Sequence, residues 1–569
     1  MTIKVQANHK YIDEIQSVAQ IFFPHARFGS DDTPGYTISS FFDNGKVHAA
    51  IFNESMGARF AENSGADVVH LLNSGEHTPP LRVSPLGEHS LDLSSSPSFL
   101  NEKRMAMLAM YRLLQRVIGA YTPWGALTGV RPTKMVREWI GAGQPDEEIL
   151  QNLQNILHVH ESRARLAVAV AHAENRLATR INSAAPSYLS PPEHTHTINN
   201  AIPAQPLGLY ISIPFCPSRC IYCSFNTSSG SWNEQAQTQY VHALISECKS
   251  LAAGLEETGQ QISSIYIGGG TPTALTDTLL ETLLSTVQEM AVPGEYTVEA
   301  GRPDTITRAN LQIMRKYNVN RISINPQTLN DKTLKTIGRN HTTKDFLRAF
   351  EEAREEGFTS INTDIIAGLP GEGPKDMHRT METLANLSPE NITIHTLAVK
   401  RASKLNQHRT DIAIPPLNGL ARAENRERIN VFSATGETDL KVNCYKTSAE
   451  NRKHSITGLA PDTARESLHP AYALPDPKSI ESQLKIAHDA CTAMGLIPYY
   501  LYRQKNMAAL FENTGYSLPG HECLYNIGMM SEVQTVLGIG AGAVSKYVEG
   551  TKITRKFNVK NPEIYIQRI

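Results

Sequence analysis

The sequence predicts an α/β protein built around an open, partial barrel of six β/α units. Between residues 207 and 398, short β-type runs alternate with amphipathic helical patterns six times in succession. Such alternation implies a parallel sheet whose strands are joined by helical crossovers. Six units fall short of the eight that close a barrel, so we expect an opening, with the active site at the carboxyl ends of the strands. The predicted strands are 207–213, 263–268, 295–300, 320–325, 358–368 and 390–398.

At 569 residues the chain is too long for one ordinary domain. Changes in composition predict an N-terminal α/β domain (1–185), a linker (186–206), the barrel core (207–406), a loop insertion (407–480) and a smaller C-terminal region (481–569). In the first domain, Asp43-Asn44-Gly45 signals a hairpin, and helical patterns cover 102–121 and 146–180. The linker is rich in Pro, Ser, Asn and Thr, and we expect its His194 and His196 to be solvated.

The composition is that of a soluble globular protein, with 40% hydrophobic and 19% charged residues and a formal net charge of −2. This balance gives no overall attraction to nucleic acid or to an anionic membrane. The first residues lack the apolar stretch of a signal peptide, and no run of 18 uncharged apolar residues occurs. We expect a cytoplasmic monomer without a nucleic-acid partner. Seven cysteines, an odd number, argue against a disulfide framework.

Three of the seven cysteines form the run Cys216-Pro-Ser-Arg-Cys220-Ile-Tyr-Cys223, directly after the first strand of the barrel. Cysteine thiolates are the ligands of iron–sulfur clusters. A cluster of four irons bound by three nearby sulfurs keeps one iron open, as a catalytic metal site requires. The alternative is a structural zinc or cluster site completed by Cys248 or His341. Zinc sites favour paired C-x2-C units, and the sequence contains no second pair.

Polar and glycine residues follow the later strands. The second strand ends in Tyr-Ile-Gly-Gly-Gly-Thr-Pro (266–272), where glycines let the backbone approach a ligand closely. Glu299 ends the third strand, Gln327 follows the fourth and Asp364 ends the fifth, while Arg339 lies between the fourth and fifth. Each alone is typical of a surface charge or a helix cap. Together they predict a polar rim where ligands bind.

The cysteine spacing, at the end of the first strand of a partial barrel, resembles the signature of the radical S-adenosylmethionine (SAM) superfamily. The resemblance implies a [4Fe–4S] cluster on Cys216, Cys220 and Cys223, with SAM on the open iron. Cleavage of SAM would then give a 5′-deoxyadenosyl radical that abstracts a hydrogen atom from the substrate. Arg339 would neutralise the SAM carboxylate. The implied SAM contacts are Tyr210, Gly268, Gly269, Gly270, Thr271, Glu299, Gln327, Arg339 and Asp364.

Longer blocks narrow the resemblance. The stretches YISIPFCPSRCIYCSF, YIGGGTP, NPQTLNDKTLKTIGRNH and DIIAGLPGE resemble the oxygen-independent coproporphyrinogen III dehydrogenase family. The blocks ITIHTLAVKRAS, YYLYRQKN, ENTGYSLPGHECLYNIGMM, LGIGAGAVSKY and GVRPTKMV resemble its HemZ branch. The implied reaction belongs to haem biosynthesis. It is the anaerobic oxidative decarboxylation of two propionates of coproporphyrinogen III to the vinyl groups of protoporphyrinogen IX.

A tetrapyrrole with four carboxylates requires cations in its pocket. We expect Lys400, Arg401, Arg503 and Lys505 to anchor propionates, since guanidinium matches carboxylate bidentately. The alternative is that they are exposed rim charges. The C-terminal region (481–569) would cover the substrate. Its tyrosines 499, 500 and 502 pack either on the macrocycle or on the core. The sequence identifies neither the electron donor nor the electron acceptor.

Two positions depart from the best-studied branch of the family: Phe225 stands in place of a fourth cysteine, and Ser212 in place of a histidine. The insertion at 407–480 is also outside the family pattern. Two alternatives therefore stay open. One is a haem-trafficking role like that of the HemW group, which shares the cysteine loop. The other is a different radical reaction on a tetrapyrrole.

Overall fold

The computed structural model describes residues 2–23, 26–28, 36–43, 46–53, 87–92, 99–118, 122–183, 205–224, 228–229, 233–291, 293–400, 403–407, 473–504, 507–550 and 552–569. The predicted linker lies almost entirely outside these residues, as does most of the predicted insertion. Phe225, Arg401 and Lys505 also lie outside them. The α/β fold with a partial barrel is confirmed. No helix in the described ranges is long and apolar enough to cross a membrane.

The N-terminal unit contains a five-stranded sheet, in the order β2-β1-β3-β4-β5, with helices beside it. Its strands are β1 (Thr2–Ala7), β2 (Arg27–Phe28), β3 (Tyr36–Asp43), β4 (Lys46–Asn53) and β5 (Gly87–Asp92). Its helices are α1 (Ile12–Phe22), α2 (Glu102–Ile118), α3 (Thr133–Gly141), α4 (Asp146–Gln151) and α5 (Glu161–Ser183). The predicted hairpin forms, with Asp43 opposite Lys46. The predicted helix over 146–180 is interrupted before α5, where His158 adopts a positive φ of 57°.

The six predicted barrel strands are present and pair in parallel in chain order. They are β6 (Leu207–Ile213), β9 (Ile262–Gly269), β10 (Glu295–Val298), β11 (Arg321–Ser323), β12 (Ile361–Ala367) and β13 (Asn391–Thr396). Two short strands, β7 (Phe215–Cys216) and β8 (Ser228–Ser229), pair separately. The helices between strands are α6 (Glu234–Thr258), α7 (Asp277–Met290), α8 (Arg308–Lys316), α9 (Asp331–Thr336), α10 (Thr343–Glu355) and α11 (Pro374–Leu387).

Side chains alternate along every barrel strand. Apolar residues such as Ile211, Ile267 and Ile365 are buried among the crossover helices. The residues between them point into the barrel and are mostly polar, although many are buried. The inward set includes Tyr210, Ser212, Ser264, Tyr266, Glu295, Thr297, Arg321, Ser323, Asn362, Asp364, Thr393 and His395. The interior of this barrel is therefore lined by side chains that can form hydrogen bonds with a polar ligand.

The C-terminal region supplies five further strands to the same sheet. The aromatic run at 496–504 predicts the first of them, whereas the sequence did not indicate the other four. The five strands are β14 (Ile497–Tyr502), β15 (Asn513–Ser517), β16 (Val536–Ile539), β17 (Val544–Glu549) and β18 (Lys552–Phe557). β15 and β14 extend the sheet beyond β13, while β16, β17 and β18 extend it beyond β6. The remaining helices are α12 (Lys404–Gln407), α13 (Pro477–Ala493), α14 (Leu524–Met530) and α15 (Pro562–Arg568). Within the part of the chain that the structure describes, this sheet has eleven strands.

The amino-terminal end of the barrel is closed by residues 521–525. The Glu295 carboxylate accepts hydrogen bonds from the backbone N–H groups of Leu524 (2.6 Å) and Tyr525 (2.9 Å). These are amides of the first turn of α14, which have no partner within the helix. Beside them, the buried Arg321 guanidinium donates to the carbonyl oxygen of His521 at 2.6 Å. The two inward charged residues thus bind this end of the barrel to the C-terminal region.

Helix α5 covers the side of the split barrel. Its buried residues Ala173, Leu177 and Ile181 form one apolar cluster with Tyr499 and Tyr500 of β14, Tyr525 and Ile527 of α14, and Val536 of β16. β14 and β16 lie toward opposite edges of the sheet. One helix of the N-terminal unit therefore belongs to an apolar cluster that includes residues from both sides of the opening.

Replacing Glu295 with alanine should leave two buried amide N–H groups without an acceptor. We expect the free energy of unfolding to fall by about 1–3 kcal/mol, measured by urea denaturation. Glu289→Ala, at the exposed end of α7, is the control and should change stability by less than about 0.5 kcal/mol. Equal denaturation midpoints for Glu295→Ala and the wild type would contradict this role for the carboxylate.

Candidate functional site

The cysteine loop leaves β7 at Cys216 and is bound on its far side by residues 337–339. Ile221 N–H donates to the carbonyl oxygen of Ile337 at 3.0 Å, and the Ser218 hydroxyl donates to that of Gly338 at 2.8 Å. Within the loop, Cys223 N–H donates to the carbonyl oxygen of Cys220 at 3.1 Å. The loop is therefore held at defined points, although it has little regular structure of its own.

The surroundings of Cys216 raise the pKa of its thiol. Burial raises the pKa of Cys216 to about 11; the charges of Cys220 and Cys223 add to the shift, whereas a hydrogen bond with Thr271 and the charge of Arg302 oppose it. Three neighbouring thiolates are stable only beside compensating positive charge, which iron ions supply. The donor set therefore fits a [4Fe–4S] cluster. Among the described residues no three metal-binding side chains form a closed group, so the sulfurs would have to converge on the cluster.

The glycine turn packs directly against the strand that leads to the cysteine loop. Gly270 N–H donates to the carbonyl oxygen of Ile213 at 2.6 Å, and Thr271 N–H donates to that of Phe215 at 2.7 Å. A Cβ atom at Gly270 would lie 2.4 Å from the carbonyl oxygen of Phe215. Gly269 has a φ of +106°, a conformation that side chains rarely adopt. These two glycines are therefore required by the backbone itself, in addition to any ligand.

Gly268 and Glu299 lie at the carboxyl ends of their strands, whereas Asp364 lies in the middle of β12, close enough for its charge to act on Glu299. A Cβ at Gly268 would lie 2.5 Å from Glu299 Oε2. Burial, followed by the charge of Asp364, raises the pKa of Glu299 to about 8. Burial would also raise the pKa of Asp364, but hydrogen bonds from His395, Asn362 and Thr393 and the charge of His395 lower it overall. The pair can thus hold one proton and one negative charge at neutral pH.

Gln327 is fixed against β12 by its backbone. Its N–H donates to the carbonyl oxygen of Asp364 and its own carbonyl accepts from Ile366, each at 2.9 Å. Its φ of +67° is unusual for a residue other than glycine. Such strain at a strand end is common where a side chain must face a ligand.

Arg339 lies between the cysteine loop and the barrel rim. Its Nη1 donates to the carbonyl oxygens of Gly301 and Asn325, both at 2.8 Å. Burial would lower the pKa of this guanidinium, but neighbouring Tyr222 and Cys220 raise it overall. The structure therefore places the predicted SAM-carboxylate partner in direct contact with the cluster loop.

Tyr210 belongs to a stack of aromatic rings inside the barrel. Its ring centroid lies 6.3 Å from that of Tyr266 and 6.2 Å from that of Tyr525, and the Tyr266 and Tyr525 centroids are 4.7 Å apart. Burial and the charge of Glu299 raise the pKa of Tyr210. Its hydroxyl also lies 3.2 Å from the position of a Cβ at Gly269. The predicted SAM contact thus adjoins both the glycine turn and the barrel interior.

Of the four predicted propionate anchors, the structure describes Lys400 and Arg503. Lys400 lies close enough to Cys223 for that thiol to raise its pKa, although burial has the larger, lowering effect. Arg503 is buried and donates to the carbonyl oxygens of Leu127 and Leu510. Its guanidinium therefore joins the N-terminal unit to the sheet. Arg401 and Lys505 lie outside the described residues.

Ser212 is accommodated by the C-terminal region. The Ser212 hydroxyl donates to the carbonyl oxygen of Ala541 at 2.8 Å. A Cβ at Gly540 would lie 2.6 Å from the carbonyl oxygen of Ser212. The turn at Gly540–Ala541 therefore occupies the space beside this position. A histidine at 212 would displace that turn.

Sequence reasoning missed three polar residues of the site: Arg302, Tyr222 and His395. Arg302 is buried and contacts Cys220, while Tyr222 contacts Arg339. His395 Nε2 lies 3.6 Å from Asp364 Oδ2. The inward register of the predicted sixth strand could have found His395. No local signal distinguishes Arg302 or Tyr222 from surface residues.

Comparison with known proteins agrees with this geometry. Residues 210–384 match the Radical SAM superfamily, so the chain contains a radical SAM domain. The predicted cofactors, a [4Fe–4S] cluster and S-adenosylmethionine, are confirmed as those of this superfamily.

Individual relatives are more specific. The chain is 29% identical over 578 residues to the Bacillus subtilis "Oxygen-independent coproporphyrinogen-III oxidase-like protein HemZ", covering 100% of this chain and 95% of that protein. It is 37% identical over 256 residues to the Bacillus subtilis "Heme chaperone HemW", covering 44% of this chain and 65% of the chaperone, less than two thirds of its length. The solved Escherichia coli coproporphyrinogen III oxidase HemN is 21% identical, with a TM-score of 0.43, covering 64% of this chain and 69% of HemN.

Gly270→Ala should displace the cysteine loop, because the new methyl group would collide with the carbonyl oxygen of Phe215. We expect a loss of more than half of the iron bound per chain after anaerobic reconstitution. The control is Gly254→Ala, since Gly254 lies in α6 with no atom within 4 Å of its Cβ position. That variant should bind iron normally and gain up to about 1 kcal/mol of stability. Equal iron contents in both variants would contradict the proposed steric fit.

Glu299→Gln should make the folded state less sensitive to pH. The pKa of Glu299 is raised to about 8 in the folded chain, so the native state keeps a proton that the unfolded state releases. Its contribution to stability therefore falls as pH rises from about 4.5 to about 8. Urea unfolding across this window should show the variant gaining relative to the wild type, whereas Glu289→Gln should show no such gain. A constant difference would contradict the raised pKa.

Proposed function

We propose that this protein is a radical SAM enzyme that acts on a tetrapyrrole, and that its reaction is the oxidative decarboxylation of coproporphyrinogen III. The observation that carries the proposal is the full-length similarity to a protein named as coproporphyrinogen-III oxidase-like. It extends over the N-terminal unit and the C-terminal strands, well beyond the radical SAM domain. The polar, tyrosine-lined barrel interior supports it, since aromatic side chains can pack against the pyrrole rings of a tetrapyrrole.

In this proposal Cys216, Cys220 and Cys223 would hold the cluster, and SAM would bind beside it. When bound, the cluster and SAM supply the 5′-deoxyadenosyl radical that removes a hydrogen atom from the substrate. The glycine turn and Tyr210 shape the SAM pocket. Glu299, Gln327 and Asp364 would hydrogen-bond to SAM. Arg339 would supply the positive charge for the SAM carboxylate.

Electrostatics favour this arrangement. The protonated Glu299 can donate a hydrogen bond while the ionised Asp364 accepts one, so the pair matches both kinds of ligand group. Lys400 and Arg401 lie just after the sixth strand, and we retain them as candidate propionate anchors. Because the amino-terminal end of the barrel is closed, the substrate would enter at the carboxyl-terminal rim. Water must be excluded from the radical there.

A haem-binding role is the second candidate, favoured by the 37% identity to a haem chaperone over 256 residues. This match covers less of the chain than the similarity to HemZ does. A third possibility is a different radical reaction on a tetrapyrrole.

We expect anaerobically reconstituted protein, supplied with coproporphyrinogen III, SAM and dithionite, to give an oxidised product. Its mass should be lower than that of coproporphyrinogen III by two CO2 molecules and four hydrogen atoms. Mass spectrometry of the porphyrin and of 5′-deoxyadenosine measures both halves of the reaction. Cys220→Ala should abolish both products. Cys248→Ala, which alters a buried cysteine in α6, should retain them.

Three other outcomes would contradict the proposed reaction. Stoichiometric haem binding with intact coproporphyrinogen would favour the haem-binding role. A new product mass from haem and SAM would indicate another radical reaction. Formation of 5′-deoxyadenosine with unchanged coproporphyrinogen would leave the radical SAM chemistry standing and remove the substrate assignment.

A further inference from the structure

Arg302 is a buried arginine that lies directly behind the cysteine loop. It follows β10, three residues after Glu299, and is 2% exposed. Its Nη1 lies 3.7 Å from the Sγ of Cys220 and donates to the carbonyl oxygen of Ser218 at 3.2 Å. Its Nη2 donates to the Ser218 hydroxyl at 2.9 Å. The guanidinium thus reaches both the loop backbone and a sulfur of the loop.

A carboxylate holds this guanidinium in place. Arg302 Nε lies 3.2 Å from Oδ1 of Asp304, and Nη2 lies 3.4 Å from its Oδ2. Asp304 is partly exposed, whereas Arg302 is almost fully buried. Two-point contact of this kind fixes the plane of the guanidinium and directs its remaining N–H groups at the loop. Asp304 also offsets part of the positive charge that Cys220 experiences.

A second guanidinium, that of Arg339, also interacts with Cys220. The sequence predicts that Arg339 pairs with the SAM carboxylate. Bound SAM would therefore neutralise part of the positive charge that Arg339 presents to the sulfur. Among the described residues, the hydrogen bonds of the Arg302 guanidinium are to the loop and to Asp304, so SAM binding at Arg339 would leave them in place. Arg302 is therefore the cation whose effect on Cys220 persists throughout a reaction cycle.

We propose that Arg302 is a positioning residue that raises the reduction potential of the cluster through Cys220, and that Asp304 tempers this effect. Reduction adds one electron to the [4Fe–4S]2+ cluster and gives [4Fe–4S]1+. A buried positive charge and a hydrogen bond to a ligand sulfur stabilise the form with more negative charge. The inference rests on the cluster-binding part of the proposed function and is independent of the tetrapyrrole reaction.

The test is a redox titration of the full-length, reconstituted protein without SAM. Dithionite is the reductant, and electron paramagnetic resonance of the reduced cluster is the readout. Arg302→Gln should lower the equilibrium constant for reduction about tenfold, a fall of about 59 mV for one electron. Asp304→Asn should shift the potential in the opposite direction, since it leaves the charge of Arg302 uncompensated. A purely structural clamp would not produce two shifts of opposite sign.

Arg308→Gln is the matched control. Arg308 lies in α8, half exposed, and pairs with Glu355 and Glu356 away from the loop, so its replacement should leave the potential unchanged. Wild-type iron content with unchanged potentials in Arg302→Gln and Asp304→Asn would overturn the inference. If Arg302→Gln failed to retain iron, Asp304→Asn alone would decide, and an unchanged or lowered potential would overturn it. A wild-type chain that bound no iron would overturn the cluster assignment as well.

Discussion

The backbone contact between the glycine turn and the first barrel strand is the interaction on which the site depends. Two short hydrogen bonds, from Gly270 to Ile213 and from Thr271 to Phe215, join the end of β9 to the residues that enter the cysteine loop. No side chain could take the place of Gly270 at this distance. The contact fixes the position of Cys216, whose sulfur lies 3.3 Å from the Thr271 hydroxyl. The loop and the rim residues can therefore face one another only while this contact holds.

A polar barrel interior imposes a second requirement, since buried polar groups need partners and protection from bulk water. The structure meets it from three directions. Glu295 and Arg321 bind residues 521–525 across the amino-terminal end, α5 covers the side opening, and the turn at Gly540–Ala541 packs beside Ser212. All three closures use segments outside the six β/α units. The radical SAM domain alone would leave its interior open.

The strands of the barrel could be predicted because alternation and glycine turns are local signals. The cysteine loop was equally visible, as were Glu299 and Asp364, although the structure places Asp364 in the middle of its strand. Arg503 shows where local reasoning stops. Its position after an aromatic strand indicated a ligand anchor, yet its partners are carbonyl oxygens of Leu127 and Leu510. Arg302 was missed for the converse reason, because an arginine before proline is ordinary until the fold places Cys220 beside it.

The strands that flank the barrel have a consequence for how the chain folds. Ser212 and Ala541 are hydrogen-bonded across 329 residues of sequence, and β16 pairs with β6 over a similar separation. Contacts of such high order form slowly, and a nascent chain exposes the unpaired edge of β6 until the later segment has been synthesised. The three cysteines, by contrast, are close in sequence and emerge together. Their loop is thus synthesised long before the C-terminal segments can cover it. During that interval the three thiols are most exposed to oxygen and to other metal ions.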